Sequence, residues 1–423
     1  MTLKTSPTGR FAGTLRPPSD KSLTHRAYLF ASIALTESCV RMPLRGEDCE
    51  STLRCLNQLG LRHEWHGDHT VRLIPARDWQ TPTHALDCGN SGTTMRLLAG
   101  LLASRPISAT LVGDESLSRR PMKRVAEPLR LMGAQLQGDT PPLYVKGGNL
   151  RGISYSTPVA SAQVKSSVLL AGLRAEGETR VTEPALSRDH TERMLTALGV
   201  ALRREGLTVS VSGGAQVEGF AFTVPGDISS AAFPMVAAAM IAGGHVTVSE
   251  LGLNPSRTGL LDVLQQVGAE VSISESGEEL GEPIASVSVR SLELQPFHIS
   301  GDLVPRLIDE IPVLAVLATQ CAGTSVIRDA AELRVKESDR IESVAAGLRA
   351  MGADVETFPD GLAANGPCRL RGAAIDSRGD HRLGMAFAVA GLIAEGETVI
   401  ANSDAILTSY PSFEADLARL CHE

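Results

Sequence analysis

Five charged side chains fall within the seven residues Arg334-Val335-Lys336-Glu337-Ser338-Asp339-Arg340. They stand just ahead of Ile341, Val344, Leu348 and Met351, whose three- and four-residue spacing predicts an amphipathic helix. The charges therefore belong to a helix start, where Lys336 and Arg340, four apart, share a side and the exposed amides of a first turn attract negative charge. Such a place suits an anion. Glu337, between two cations, suits an acid or base acting beside that anion. A solvated, salt-bridged helix end would use the same residue types, so other stretches must separate the two readings.

Comparable polar runs recur ahead of strongly apolar segments. Pro18-Ser19-Asp20-Lys21-Ser22-Leu23-Thr24-His25-Arg26 offers Lys21 and Ser22 to a phosphate, together with helix amides; a helix cap by Ser19 or Ser22 is the plainer alternative. Asp87-Cys88-Gly89-Asn90-Ser91-Gly92-Thr93-Thr94-Met95-Arg96 permits close backbone approach to a ligand, as a capped turn also would. The run from Gly113 to Arg124 gathers Arg119, Arg120, Lys123 and Arg124, and the arginine fork suits a carboxylate or phosphate. Ser161 and Gln163, in Ser161-Ala162-Gln163-Val164-Lys165-Ser166-Ser167, suit a polyhydroxylated ligand read by neutral hydrogen bonds. Arg188 follows in Ser187-Arg188-Asp189-His190. Asp302, Asp309 and Glu310 put carboxylates where the other runs have cations, as a base facing a basic half would, or as acids favoured at a helix amino end. Gly379-Asp380-His381-Arg382 again sets an arginine at a helix start. His63, His66 and His69 read as a polar loop, without a carboxylate at metal-ligand spacing.

The elements that position these runs form a repeat. Leu-x-x-(Leu/Met/Val)-Gly ends at Gly60, Gly133, Gly199, Gly268 and Gly352, roughly 65 to 85 residues apart, with a degraded sixth copy at Leu417. Glycine there suits the left-handed cap that closes a helix. Each repeat also holds an alanine- and leucine-rich segment followed by a β-branched strand, starting at Arg26, Arg96, Val168, Ala231, Ile311 and Met385. A helix apolar on nearly every side must be buried on nearly every side, so these six lie inside with sheets outside them. Six copies divide into two domains of three, with the crossing at the polar stretch around Pro225. The expected domains are 16–224 and 1–15 plus 225–423.

Composition narrows the function. The 423 residues allow two full cores, and 43% hydrophobic with 21% charged residues describes a globular chain. A net charge of −8 argues against nucleic acid or an acidic membrane as partner, so anion sites must be local. Seven cysteines without a CxxC pair suggest a reducing compartment and no zinc, and the absence of a signal-like amino terminus or a spanning apolar run suggests the cytoplasm.

With these residues assembled, the chain resembles the 5-enolpyruvylshikimate-3-phosphate synthase family over essentially its whole length. The matching strings are SDKSLTHR, GNSGTTMR, GDESLSRRPM, SAQVKSS, SRDHTER, PGDISSAAF, NPSRTG, LRVKESDR and GDHRLGM. The resemblance implies a two-domain inside-out α/β barrel, each domain three βαβαββ units with helices inside, and an active site in the cleft between domains that closes on bound anions. It implies transfer of the enolpyruvyl group of phosphoenolpyruvate to the 5-hydroxyl of shikimate 3-phosphate, in a monomer with no metal or organic cofactor. Lys21, Ser22, Arg26, Ser161, Gln163, Arg188, Asp309 and Lys336 would hold shikimate 3-phosphate. Lys21, Gly92, Arg120, Gln163, Arg340 and Arg382 would hold phosphoenolpyruvate. Asp309 would take the hydroxyl proton, Glu337 would protonate and later deprotonate the methylene carbon, and Lys21 would balance charge as phosphate leaves.

Many members carry a lysine two residues before a Phe-Pro or Tyr-Pro pair; here Thr408 precedes Ser409-Tyr410-Pro411. The sister family acting on UDP-N-acetylglucosamine places a cysteine in the loop where this chain has Glu115 to Arg119. A non-catalytic anion-binding scaffold would gain little from Asp309 and Glu337 among its cations.

Overall fold

The six apolar segments form helices at Lys21–Ile33, Gly92–Ala103, Ala162–Gly172, Ile228–Met240, Ile311–Ala318 and His381–Gly391 in a computed structural model. The structure describes residues 1–422, and of Glu275 and Ser276 the backbone alone. All eight residues of Ile311–Ala318 and all eleven of His381–Gly391 are buried, as a helix without a polar face requires.

Each of these helices is followed by its β-branched strand: Ser38–Arg41, Ser108–Val112, Glu178–Thr182, His245–Gly252, Gly323–Ile327 and Thr398–Ala401. A second, amphipathic helix then follows, at Glu47–Gln58, Lys123–Leu131, His190–Ala197, Gly259–Gln266, Arg340–Ala350 and Phe413–His422. The five glycines that end the earlier copies take positive φ, from 85° at Gly199 to 109° at Gly133, where a side chain would be strained.

Five four-stranded sheets and one three-stranded sheet result. In each, the strand after an internal helix pairs in parallel with a short edge strand and antiparallel with its other neighbour. Two edge strands are exchanged along the chain. Ala12–Leu15 precedes the helix Lys21–Ile33 but pairs with His245–Val248, and Ala221–Thr223 precedes the helix Ile228–Met240 but pairs with Cys39–Arg41.

The chain forms two compact units, one of residues 1–18, 225–277 and 283–423, the other of 19–224 and 278–282. Arg16 to Pro18 stay with the first because Arg16 pairs with Glu250 at 2.5 Å and Pro18 O accepts from Asp227 N at 2.8 Å. Residues 278–282 group with the second, where Glu282 pairs with His190 Nδ1 at 2.8 Å. Each unit has its own apolar core, around Phe233, Leu314 and Phe387 in the first and Tyr28, Leu98 and Leu169 in the second. No described helix is long and apolar enough to cross a membrane.

Candidate active site

In the second unit the three internal helices begin with the polar runs. Asp20 caps the first by accepting from Leu23 N at 2.8 Å. The plainer alternative, a cap by Ser19 or Ser22, is therefore not what the helix uses: a carboxylate is the stronger acceptor for first-turn amides, and the half-buried Ser22 hydroxyl takes no part in capping. Lys21 Nζ meets Asp48 Oδ2 at 2.8 Å. Arg26, buried one turn on, donates from Nε to Thr191 Oγ1 at 2.8 Å, from Nη2 to Ser166 Oγ at 3.1 Å and from Nη1 to Ser22 O at 3.1 Å. Burial draws its pKa down to about 10, offset in part by Glu192, Asp20 and Glu282 and reinforced by Arg188.

Ser91 and Ser161 cap the next two internal helices, accepting from Thr94 N at 3.1 Å and Val164 N at 3.4 Å. Gly92 is the first residue of its helix. A Cβ there would lie 2.8 Å from Arg96 Nη1 and 3.6 Å from Arg120 Nη1, so both guanidinium groups close on this glycine. Arg120 Nη2 donates to Asn90 Oδ1 at 2.5 Å, and Arg96 Nη1 to Gln163 Oε1 at 2.6 Å. Gln163 Nε2 donates in turn to Thr93 Oγ1 at 2.9 Å. Lys21, Ser22, Arg26 and Arg188 thus form one neighbourhood, and Gly92, Arg120 and Gln163 another, joined where Thr94 Oγ1 reaches Asp48 O at 3.4 Å.

The first unit concentrates charge on one arginine. Arg340, with its side chain 2% exposed, donates to Asp380 Oδ2 from Nε at 2.9 Å, to Asp309 Oδ1 from Nη1 at 3.1 Å and to Glu337 Oε2 from Nη2 at 2.7 Å. Burial disfavours its charge, but Asp380, Glu337 and Asp309 more than reverse this and its pKa is raised. Lys336 Nζ adds a contact to Asp309 Oδ1 at 3.4 Å.

Asp380 caps the helix His381–Gly391 by accepting from Arg382 N at 2.9 Å. The Arg382 side chain is buried, donates from Nη1 to Ser229 O at 2.8 Å, and has its Nε without a protein acceptor among the described residues. A buried guanidinium with donor capacity left over is suited to an anion.

One expectation about this stretch is corrected. The helix starts at Arg340, capped by Asp339, and Ala331–Val335 is a separate 3₁₀ turn. Lys336 lies outside both, so helical spacing does not bring it to Arg340; their shared partner Asp309 does. RHEWHGDHT is likewise a hairpin rather than a loop: His63 sits in strand Arg62–Trp65, its Nδ1 3.1 Å from Asn57 Oδ1. Thr408 ends the 3₁₀ turn Ser403–Thr408, half-buried.

Asp48, Asn90, Arg96, Asp380 and Ser229 also contact candidate residues, and none of them is singled out as a site residue by sequence reasoning. Asn90, Arg96, Ser229 and Asp380 stand in strings already singled out, and an acid just before a helix start could have marked Asp380 as a cap. A surface hollow bounded by Asp189, Glu192, Arg193 and Arg204 holds none of the candidates, and these four pair with one another, Arg193 with Asp189 at 2.9 Å and Arg204 with Glu192 at 3.0 Å.

A family model described as EPSP synthase (3-phosphoshikimate 1-carboxyvinyltransferase) matches residues 5–417. The chain is 51% identical over 418 residues to the 3-phosphoshikimate 1-carboxyvinyltransferase of Desulfitobacterium hafniense (strain DSM 10664 / DCB-2), covering 97% of this chain and 96% of the relative. It is 50% identical over 415 residues to that of Brevibacillus brevis, covering 96% and 97%. Among solved structures it is similar to EPSP synthase from Acinetobacter baumannii, with TM-score 0.89 and 42% identity over 99% of this chain and 98% of that one.

Proposed function

This chain belongs to the EPSP synthase (3-phosphoshikimate 1-carboxyvinyltransferase) family, and from that premise we infer that it transfers the enolpyruvyl group of phosphoenolpyruvate to the 5-hydroxyl of shikimate 3-phosphate, releasing phosphate. Its place is the shikimate pathway to aromatic amino acids. We read each unit as three βαβαββ repeats whose sheets enclose the helices, a reading supported by the burial of every residue in two of them.

Lys21, Ser22, Arg26, Ser161, Gln163, Arg188, Asp309 and Lys336 hold shikimate 3-phosphate in this proposal. Lys21, Gly92, Arg120, Gln163, Arg340 and Arg382 hold phosphoenolpyruvate. The observation that carries the reading is the pair Asp309 and Glu337 on one buried arginine, at 3.1 and 2.7 Å. Two carboxylates on a shared cation suit two proton transfers.

Asp309 takes the proton of the 5-hydroxyl as its oxygen bonds to the substituted alkene carbon, while Glu337 gives a proton to the methylene carbon. In the second half Glu337 removes a proton from that methyl group, the double bond re-forms, and phosphate leaves. Lys21, Arg120 and Arg382 stabilise the charge on the departing group. No step calls for a cofactor.

A phosphate-release assay tests the function directly. Phosphate should appear only when both substrates are mixed with the protein. Tight binding of both with no phosphate release would favour the passive anion scaffold instead.

A further inference from the structure

Three helix starts in the first unit meet at one serine. Ser229, second residue of the helix Ile228–Met240, is fully buried. Its amide donates to Asp227 Oδ1 at 2.9 Å, and its hydroxyl donates to Glu310 Oε1 while accepting from Arg257 Nη2 at 2.6 Å. Its carbonyl accepts from Arg382 Nη1 at 2.8 Å, the bond that fixes this guanidinium. Arg257 Nη2 also reaches Asp227 Oδ1 at 3.0 Å, which ties the turn 227–229 in place.

Glu310 is the unexpected member. It stands at the N-cap of Ile311–Ala318 yet makes no side-chain cap bond, although its side chain has no exposure. Burying a carboxylate is costly, and its own helix amides would be the nearest compensation. Instead it reaches across to Ser229. Its chain neighbour Asp309 turns the other way, toward Lys336 and Arg340. Adjacent carboxylates therefore serve the proposed base on one side and the anchor of Arg382 on the other.

We propose that Ser229 and Glu310 are positioning residues that fix the Arg382 fork relative to Asp309, and thereby set the affinity for phosphoenolpyruvate. This rests on the reading of Arg382 as a phosphoenolpyruvate ligand. A misplacement of about 1 Å can cost up to about a hundredfold in a site of this kind, so loss of the hydroxyl bridge acts through Arg382 without any contact to substrate.

The test compares steady-state kinetics of Ser229→Ala, Glu310→Leu, Glu310→Gln, Arg382→Lys and the double variant Ser229→Ala/Arg382→Lys. Ser229→Ala and Glu310→Leu should each raise KM for phosphoenolpyruvate about tenfold, with KM for shikimate 3-phosphate and kcat within about threefold of the parent. Glu310→Gln keeps an acceptor of the same shape and should raise it less than Glu310→Leu does. In the double variant the two effects should fall short of multiplying, because they act on one group. An Arg382→Lys variant with unchanged KM for phosphoenolpyruvate would remove the premise about Arg382. If that variant is impaired while Ser229→Ala and Glu310→Leu affect both substrates equally, or the double variant shows fully multiplied effects, the positioning role is wrong. Should Ser229→Ala not fold, the graded pair at position 310 decides the matter by the same two KM values.

Discussion

Arg26 in the second unit and Arg340 in the first are buried arginines held in opposite ways. Arg26 is surrounded by two hydroxyls and a carbonyl, and burial pulls its pKa down to about 10. Arg340 is buried to the same degree, but three carboxylates cover it and its pKa rises. A cation hydrogen-bonded to neutral groups, with carboxylates only at longer range, keeps more of its field available to a ligand. One covered by carboxylates has that field cancelled until a carboxylate moves aside or takes a proton. Arg26 thus keeps more of its field for an anion than Arg340 does, because an anion approaching Arg340 competes with Asp309 and Glu337. We propose that an anion displacing Asp309 and Glu337 from Arg340 frees both carboxylates for proton transfer.

The largest effect follows from that coupling. Glu337→Gln keeps the size and a hydrogen-bond acceptor for Arg340 but cannot carry the proton, and turnover should fall by about 10²- to 10⁴-fold with both substrates still bound. Rapid-quench phosphate release measures it. Turnover equal to the parent would take Glu337 out of its assigned role and leave the first-unit carboxylates as structural counterions.

Next comes the second unit's arginine. Arg26→Met fills a similar volume without charge, and shikimate 3-phosphate alone should bind about 10- to 100-fold more weakly, the worth of a charge-assisted hydrogen bond. Calorimetric titration without phosphoenolpyruvate is the measurement. An unaltered isotherm would show that the neutral cradle of Arg26 is structural, and the contrast between units would lose its functional meaning.

A smaller effect is expected at Gly92. Its substitution by alanine puts a methyl group 2.8 Å from Arg96 Nη1, the movable end of a side chain, so the fold accommodates it while the space beside Arg120 narrows. KM for phosphoenolpyruvate should rise by a few fold, about 1 kcal/mol. A KM indifferent to Gly92→Ala would place phosphoenolpyruvate elsewhere.

What the sequence disclosed and what it hid divide along the range of the interactions. The internal helices and the Gly60, Gly133, Gly199, Gly268 and Gly352 endings were legible because apolar periodicity and a left-handed cap are local properties. Lys336 and Arg340 were paired for the wrong reason: residues four apart meet on a helix, but the helix begins only at Arg340. Their true link, Asp309, is 27 positions before Lys336 and is supplied by tertiary structure. Asp48 beneath Lys21 had no local signature at all, and Ser229 beneath Arg382 stood in the string PGDISSAAF with nothing to name its partner. Exchange of the edge strands Ala12–Leu15 and Ala221–Thr223 was equally hidden, since a four- or three-residue strand carries too little alternation to name its partner.

The smallest prediction concerns stability and again separates the units. Among the second unit's hydroxyls, Thr94 Oγ1 donates to Ser91 Oγ at 2.7 Å, so Thr52, 2.6 Å from Thr94, must use its one proton toward Thr94. Thr52 Oγ1 can then only accept from His25 Nδ1 at 2.7 Å, which leaves the proton on Nδ1 and a lone pair on Nε2, an atom with no protein partner among the described residues. Protonating that ring puts charge into a fully buried place beside Lys21 and Arg26. Burial first, then those two cations, hold its pKa well below the usual 6.5. Because the folded value is the lower one, the unfolded chain binds a proton below pH 6.5 that the native state refuses, and stability falls as pH drops from there toward the folded value. The slope from one such group is at most about 1.4 kcal/mol per pH unit. Both tryptophans, Trp65 and Trp79, lie in the second unit, so their fluorescence in urea titrations follows its unfolding. His25→Asn should flatten the loss of stability between pH 6.5 and 5 while leaving the slope above pH 7 as it was. Parallel slopes in parent and variant would mean that acid acts on the second unit through other groups, and that its neutral hydroxyl network is indifferent to the charge of His25.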